Sequence, residues 1–242
     1  MIRVLRSLWI WLASASLILS WTLLLAVVWL LDRDPLHRRT GRWFRRLGIA
    51  LARVNPWHIQ VSGTEHVTPG QPYVIVSNHQ SMADIPVLSH LGLDTKWMAK
   101  AELFRLPVLG WMLRMAGDVP VDRGNRRQGA MALKRCGQYL NRGVSVVCFP
   151  EGTRSPDGQL LPFAEGPFNL AIRERVPLLP LVVEGSGAAL PRGTWMFGGS
   201  SDIQLKILAP VPVNGWVAGQ GAELRDEVRQ KIADELECMR KA

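Results

Sequence analysis

Twenty-five consecutive residues, Ser7 to Leu31, carry no charge and are rich in Leu, Trp, Ile, Val and Ala. About 20 such residues suffice to cross the hydrocarbon core of a bilayer as a helix. The apolar region of a cleaved signal peptide is shorter, about 7–15 residues, and runs into a small-residue cleavage site. This run ends instead in Trp29-Leu30-Leu31-Asp32, which predicts a retained hydrophobic membrane helix over 7–31. Whatever the rest of the chain folds into, it does so tethered to lipid.

The charge pattern carries the same message. The 242 residues have a formal net charge of +9, and within residues 1–56 nine arginines stand against Asp32 and Asp34. That segment supplies seven of the nine charges, and the remaining residues only two. Arg3 and Arg6 precede the apolar run; Arg33, Arg38, Arg39, Arg42, Arg45 and Arg46 follow it. If the helix spans, the excess on its C-terminal side places the bulk of the chain on the cytoplasmic face of the cytoplasmic (inner) membrane; if it only dips into one leaflet, the arginines still mark an anionic surface. Between Pro35 and Pro56, Leu36, Trp43, Phe44, Leu47, Leu51 and Val54 recur at helical spacing with arginines around the remaining circumference. This predicts a basic amphipathic helix over 35–55, lying on the anionic membrane surface or packing its stripe on the first helix and the soluble core. Positive charge tied to an apolar anchor, with no aromatic-basic binding motif after it, argues against nucleic acid.

From residue 57 onward β-like runs alternate with helical patterns. Strands are predicted over 58–61, 73–77, 144–149, 178–183 and 203–208, and helices over 82–91, 107–115, 126–141, 167–175 and 222–240. Such alternation specifies an α/β domain over 57–242 behind a membrane-anchoring module over 1–56. Pro177 and Pro180 mark the fourth strand as an edge or irregular one. Cys136, Cys148 and Cys238 are odd in number and lack the paired spacing of a zinc or redox site, so reduced thiols and no metal are expected.

One short stretch carries chemistry. In "VSNHQSMADIP", residues 76–86, His79 and Asp84 follow a β-branched run and lie five positions apart. At 3.6 residues per turn they diverge by about 140° if both are helical. They meet only if His79 sits in the turn before the helix and Asp84 reaches back from its start. A carboxylate on one ring nitrogen then fixes the imidazole tautomer and frees the other nitrogen to accept a proton. Three more stretches follow: "GDVPVDRGNR" at 117–126, "CFPEGTRSPDG" at 148–158, which exposes Glu151, Gly152, Thr153 and Arg154 on a loop, and "VPLLPLVVEG" at 176–185.

With "NHQSMAD", "GDVPVDR", "FPEGTRS" and "VPLLPL" in this order, and "AKAELF" at 99–104, the chain resembles the glycerolipid acyltransferases, most closely the bacterial 1-acyl-sn-glycerol-3-phosphate O-acyltransferases. The resemblance covers residues 73–185 and implies a single mixed, mostly parallel sheet flanked by helices. It implies transfer of a fatty acyl group from acyl-CoA or acyl carrier protein, as co-substrate and without a cofactor, to the sn-2 hydroxyl of a lysophosphatidate, a membrane lipid. On these positions His79 would be the general base and Asp84 its orienting acid. Arg154 would hold the acceptor phosphate as a bidentate guanidinium, with Lys100 and Arg123 as further cations. Glu151 and Gly152 would shape the loop, Thr153 would be a further substrate-binding residue, and a backbone N–H or a Ser or Thr hydroxyl near the turns would meet the oxyanion. Trp111, Leu113 and Met115 are candidates for an acyl tunnel or for core packing.

Two positions depart from the family pattern: Pro120 stands where a large apolar residue is commoner, and Glu165 where many relatives carry lysine. The second makes another lysolipid, such as lyso-ornithine lipid or a lysophospholipid with a substituted head group, the alternative acceptor. A membrane-tethered binding protein without catalysis is the alternative of another class. A serine hydrolase is disfavoured because "EGSG" at 184–187 lacks the first glycine of a nucleophile elbow. A metal hydrolase is disfavoured because His79 has no histidine at ligand spacing.

Overall fold

Aliphatic and β-branched runs build one seven-stranded sheet. The computed structural model describes residues 1–122 and 124–241. Its strands are β1 (Trp57–Ser62), β2 (Val74–Ser77), β3 (Thr95–Lys100), β4 (Val119–Val121), β5 (Ser145–Cys148), β6 (Leu178–Glu184) and β7 (Ser201–Ile207). They are ordered β1-β7-β6-β2-β5-β3-β4. β6, β2, β5, β3 and β4 run parallel, β7 is antiparallel to β6, and β1 is parallel to β7. The sheet is thus mixed and mostly parallel. β2 and β5 are buried along their whole length, as strands covered by helices on both faces must be.

The helices are α1 (Ile2–Leu31), α2 (Arg38–Val54), α3 (Asp84–Leu88), α4 (Leu109–Ala116), α5 (Arg126–Leu140), α6 (Gly166–Glu174), α7 (Ser186–Ala189) and α8 (Gly221–Lys241). On one face of the sheet Cys136, Phe168, Leu224, Val228, Ile232 and Leu236 pack on Val74, Val146, Leu178 and Val182. On the other, Ala83, Val87, Leu88 and Ala189 cover Ile75, Val147, Leu179 and Leu181. A third cluster joins the N-terminal helices to α4 through Leu25, Leu47 and Met112, with Trp21, Trp43 and Phe44 around them.

α1 begins at Ile2, ahead of the uncharged run, because Arg3 and Arg6 turn inward: Arg3 Nε donates to the Phe197 carbonyl at 3.1 Å and Arg6 Nη2 to that of Gly198 at 2.6 Å. Further along, Trp11 Nε1 donates to the Trp195 carbonyl and Trp21 Nε1 to that of Trp43. Ser7, Ile10, Ser14, Leu25 and Val28, recurring at spacings that keep one face, are buried. The opposite face leaves Leu5, Leu12, Leu19, Leu23 and Leu30 exposed. By length and composition the helix could cross a bilayer.

Four expectations change. Arg45 does not face the surface from α2; it is buried, with both oxygens of Asp118 2.5 Å from its Nη2, because α2 is wedged between α1 and the α/β body. β6 is a central strand. Its ladder with β7 runs from Leu181 opposite Ile207 to Glu184 opposite Gln204, and Pro180, just past the last rung, still accepts from Leu208 N through its carbonyl. β3 and β4 had no apolar signature: β3 carries the buried Lys96, and β4 is a three-residue edge strand where Pro120 is exposed and its missing N–H breaks no interior ladder. The helix expected over 82–91 is shorter, α3 giving way to a 3₁₀ turn over Ser89–Leu91.

Candidate active site

The parallel strands β2, β5 and β3 end side by side, with Val76 in register with Cys148 and Trp97 with Val147. Ligands of open α/β sheets bind just beyond such carboxyl ends. Leaving β2, the chain is pegged by Asn78, whose carboxamide donates to Val183 O and accepts from Val183 N, both at 2.8 Å. The side chain thereby replaces a backbone rung and frees the main chain to turn. His79 occupies that turn.

Asp84 opens α3, is fully buried, and reaches back with one oxygen. Its Oδ2 accepts from Gln80 N at 2.8 Å, from Ser81 N at 3.0 Å and lies 2.7 Å from His79 Nδ1. An ionised carboxylate only accepts, so the hydrogen sits on Nδ1 and Nε2 keeps its lone pair. The His79 ring stacks on Phe149 with centroids 4.0 Å apart, and 12% of its side chain remains exposed.

The loop after β5 clamps the same turn by its backbone. Glu151 Oε1 accepts from His79 N at 2.6 Å and Oε2 from Leu161 N at 2.9 Å, while Ser155 N donates to the His79 carbonyl at 2.8 Å. Burial pushes the Glu151 carboxyl up to about 7; the nearby Asp84 charge adds to this, and the two N–H bonds and Arg229 oppose it. Gly152, at φ +75°, supplies the left-handed kink that swings the loop back. Arg154 is half-buried, and its carbonyl accepts from Arg192 Nη1 at 2.6 Å. Thr153 is exposed. Lys100 lies at the end of β3, exposed and 3.2 Å from Glu102. Arg123 lies outside the described residues.

His79, Asp84, Glu151 and the Ser155 N–H are therefore one hydrogen-bonded unit, while Lys100 pairs with Glu102. Asn78 and Phe149 were within the quoted stretches, but an amide before a histidine and an aromatic before a proline carry no sign of the contacts they make. Trp111, Leu113 and Met115 are not among the described residues lining the apolar cavity beside Phe149; α4 packs beneath α1 and α2 and leaves Trp111 exposed. Glu165 pairs with Arg225 of α8 at 3.3 Å.

Two cavities flank the loop. One, of about 430 Å³, is lined by Met98, Leu133, Phe149, Glu151, Phe163 and neighbours, and is largely apolar. The other, of about 590 Å³, is lined by Gln80, Ser155, Glu184, Arg192 and Arg240 among others. Among the described residues no cluster of three or more His, Cys, Asp or Glu could hold a metal ion.

A family model described as Acyltransferase matches residues 58–184. A chloroplastic 1-acyl-sn-glycerol-3-phosphate acyltransferase of Brassica napus is 35% identical over 205 residues, covering 84% of this chain and 58% of that protein. The alpha 1-acyl-sn-glycerol-3-phosphate acyltransferase of Homo sapiens is 34% identical over 176 residues, covering 72% of this chain and 62% of that protein. The chain thus spans about three-fifths of the length of these relatives. The crystal structure of the 1-acyl-sn-glycerophosphate (LPA) acyltransferase PlsC from Thermotoga maritima superposes with a TM-score of 0.84 at 27% identity, over 99% of this chain and 97% of that one.

Proposed function

Because this chain belongs to the acyltransferase family, we propose that it esterifies the sn-2 hydroxyl of 1-acyl-glycerol-3-phosphate with a fatty acyl group from acyl-CoA or acyl carrier protein, forming phosphatidate for phospholipid synthesis. The observation that carries this reading is the 2.7 Å contact between His79 Nδ1 and a fully buried Asp84. His79 Nε2 takes the hydroxyl proton as the oxygen attacks the thioester carbonyl, forming a C–O bond. Asp84 stabilises the imidazolium that results. Collapse of the tetrahedral intermediate breaks the C–S bond, and the leaving thiolate takes the proton from Nε2, so the imidazole is neutral again. Such proton transfer contributes roughly 10²–10⁴-fold.

Arg154 is our choice for the acceptor phosphate, being on the loop whose neighbours hold the His79 backbone. Lys100 and Arg123 are further cations for that role, and Thr153 a hydroxyl for the oxyanion. The apolar cavity beside Phe149 is suited to a hydrocarbon chain. The exposed face of α1 supports membrane attachment through residues 1–56, with the catalytic body on the cytoplasmic side of the inner membrane and the exposed Arg33, Arg39, Arg46 and Arg53 toward anionic headgroups.

The test is an assay of purified protein in mixed micelles with lysophosphatidate, competing lysolipids and each donor. Phosphatidate should form, and His79→Ala should lower kcat by about 10²–10⁴-fold while keeping the fold. Release of free fatty acid without an ester, or full activity in a folded His79→Ala protein, would overturn the assignment.

A further inference from the structure

The second cavity, on the far side of the catalytic loop, has no part in the reaction as described so far. It starts at Gln80, the neighbour of His79, and extends past Ser155, Glu184 and Gly187 to Arg192 and Arg240. Its lining is poorly matched to a lone dianionic headgroup. Asp157 and Glu184 offset the two arginines, and Glu184 already accepts from Arg240 at 3.1 Å and from the Gln80 carboxamide at 3.0 Å. Carboxamides, carboxylates, hydroxyls and guanidinium groups side by side suit a neutral chain that both donates and accepts hydrogen bonds, with a single anionic end for arginine.

Both donor classes considered above contain such a chain. The pantetheine arm of CoA and of acyl carrier protein has two amides and a hydroxyl, carries the thioester at one end and ends at the other in a phosphate. We propose that this cavity holds the phosphopantetheine arm of the acyl donor, thioester toward Gln80 and His79, phosphate toward Arg192 and Arg240. The inference rests on the thioester-dependent reading of the reaction. It places the acyl donor's polar arm and a hydrocarbon chain on opposite sides of one loop. Arg192, which lines this cavity, also holds the loop itself, since its Nη1 donates to the Arg154 carbonyl at 2.6 Å.

Gly187 offers a direct test. Its φ lies outside the left-handed region, and a Cβ there would meet Gln80 Oε1 at 3.6 Å, an ordinary contact. Gly187→Ala therefore adds a methyl without forcing the backbone, and Gly187→Leu carries the filling of the cavity further. The KM for acyl-CoA and for acyl carrier protein should rise together, by about tenfold or more in the leucine variant and by less in the alanine one, with the KM for lysophosphatidate changed by less than about twofold. On the unaltered protein, pantetheine, the neutral arm without its phosphate, should compete with acyl-CoA and not with lysophosphatidate, and Gly187→Leu should abolish that inhibition. A rise in the lysophosphatidate KM instead, a rise for one donor only, or undiminished inhibition in the leucine variant would overturn the proposal. If the unaltered protein transfers no acyl group, the reaction assignment fails. Calorimetric binding of pantetheine, present in the unaltered chain and lost in Gly187→Leu, then decides the cavity's ligand independently.

Discussion

Three donors converge on Oδ2 of Asp84, whereas its Oδ1 is buried with no partner among the described residues. The unevenness follows from chain geometry: a residue reaching back from the first position of α3 presents one oxygen to the turn behind it. That much was legible, because a five-residue spacing forbids both side chains from sharing a helix face and leaves the turn-then-helix arrangement. The part played by Glu151 was not, since its partners His79 and Leu161 lie on separate segments and a glutamate before a glycine says nothing about which N–H groups it will meet. Its carboxyl, held near 7 by burial against an ordinary 4.5, gives a pH test. Between those values the unfolded chain has released a proton that the folded chain keeps, so stability due to this group is full below about pH 4.5 and declines as pH rises toward 7, by on the order of 3 kcal/mol. Glu151→Gln does not titrate. The thermal midpoint of the wild type minus that of the variant should fall across this window and level off above it; a pH-independent difference would refute the burial argument.

At the scale of elements, α2 is the joint between α1 and the α/β body. Arg45 sits between the rings of Phe44 and Trp97, 4.9 and 4.5 Å from their centroids, and holds Asp118, which also accepts from Trp97 N at 2.9 Å. Beside it Lys96 donates to the carbonyls of His37 and Ala116, and burial brings its ammonium down to about 8. Replacing one partner of a buried ion pair leaves the other uncompensated. Asp118→Ala should therefore cost about 3–5 kcal/mol, read as a lower denaturation midpoint in detergent, while a surface pair such as Lys241 with Glu237 should be removable with little change. The apolar strands and the long helices were legible from periodicity. β3 and the inward Arg45 were not, because a lysine and an arginine in a pattern register as surface until a buried partner is known, and Asp118 lies far along the chain from Arg45.

For the whole molecule, α1 is docked by its N-terminal third on residues 195–198 and by its C-terminal half on α2 and α4, so its leucine face is turned outward along most of its length. Leu12→Glu with Leu23→Glu puts charges on that face without touching the packed one. Each acid costs up to about 2.5–3.5 kcal/mol in hydrocarbon, so the double variant should stop floating with vesicles of mixed neutral and anionic lipid while keeping its melting profile. Undiminished flotation would show that another surface holds the lipid. Length and lack of charge announced this helix; that it runs along the body is set by three arginine and tryptophan contacts to carbonyls of a loop nearly two hundred residues away. The backbone clamp on His79 also joins separate segments, Glu151 lying 72 residues along the chain from it. With its N–H on Glu151 and its carbonyl on Ser155, His79 is fixed to the loop that carries Arg154, like one jaw of a caliper locked to its beam. Under the roles proposed for His79 and Arg154, such a tool gauges the span from alcohol to phosphoryl oxygen, and acceptors in which that span is a carbon longer or shorter fall outside its setting.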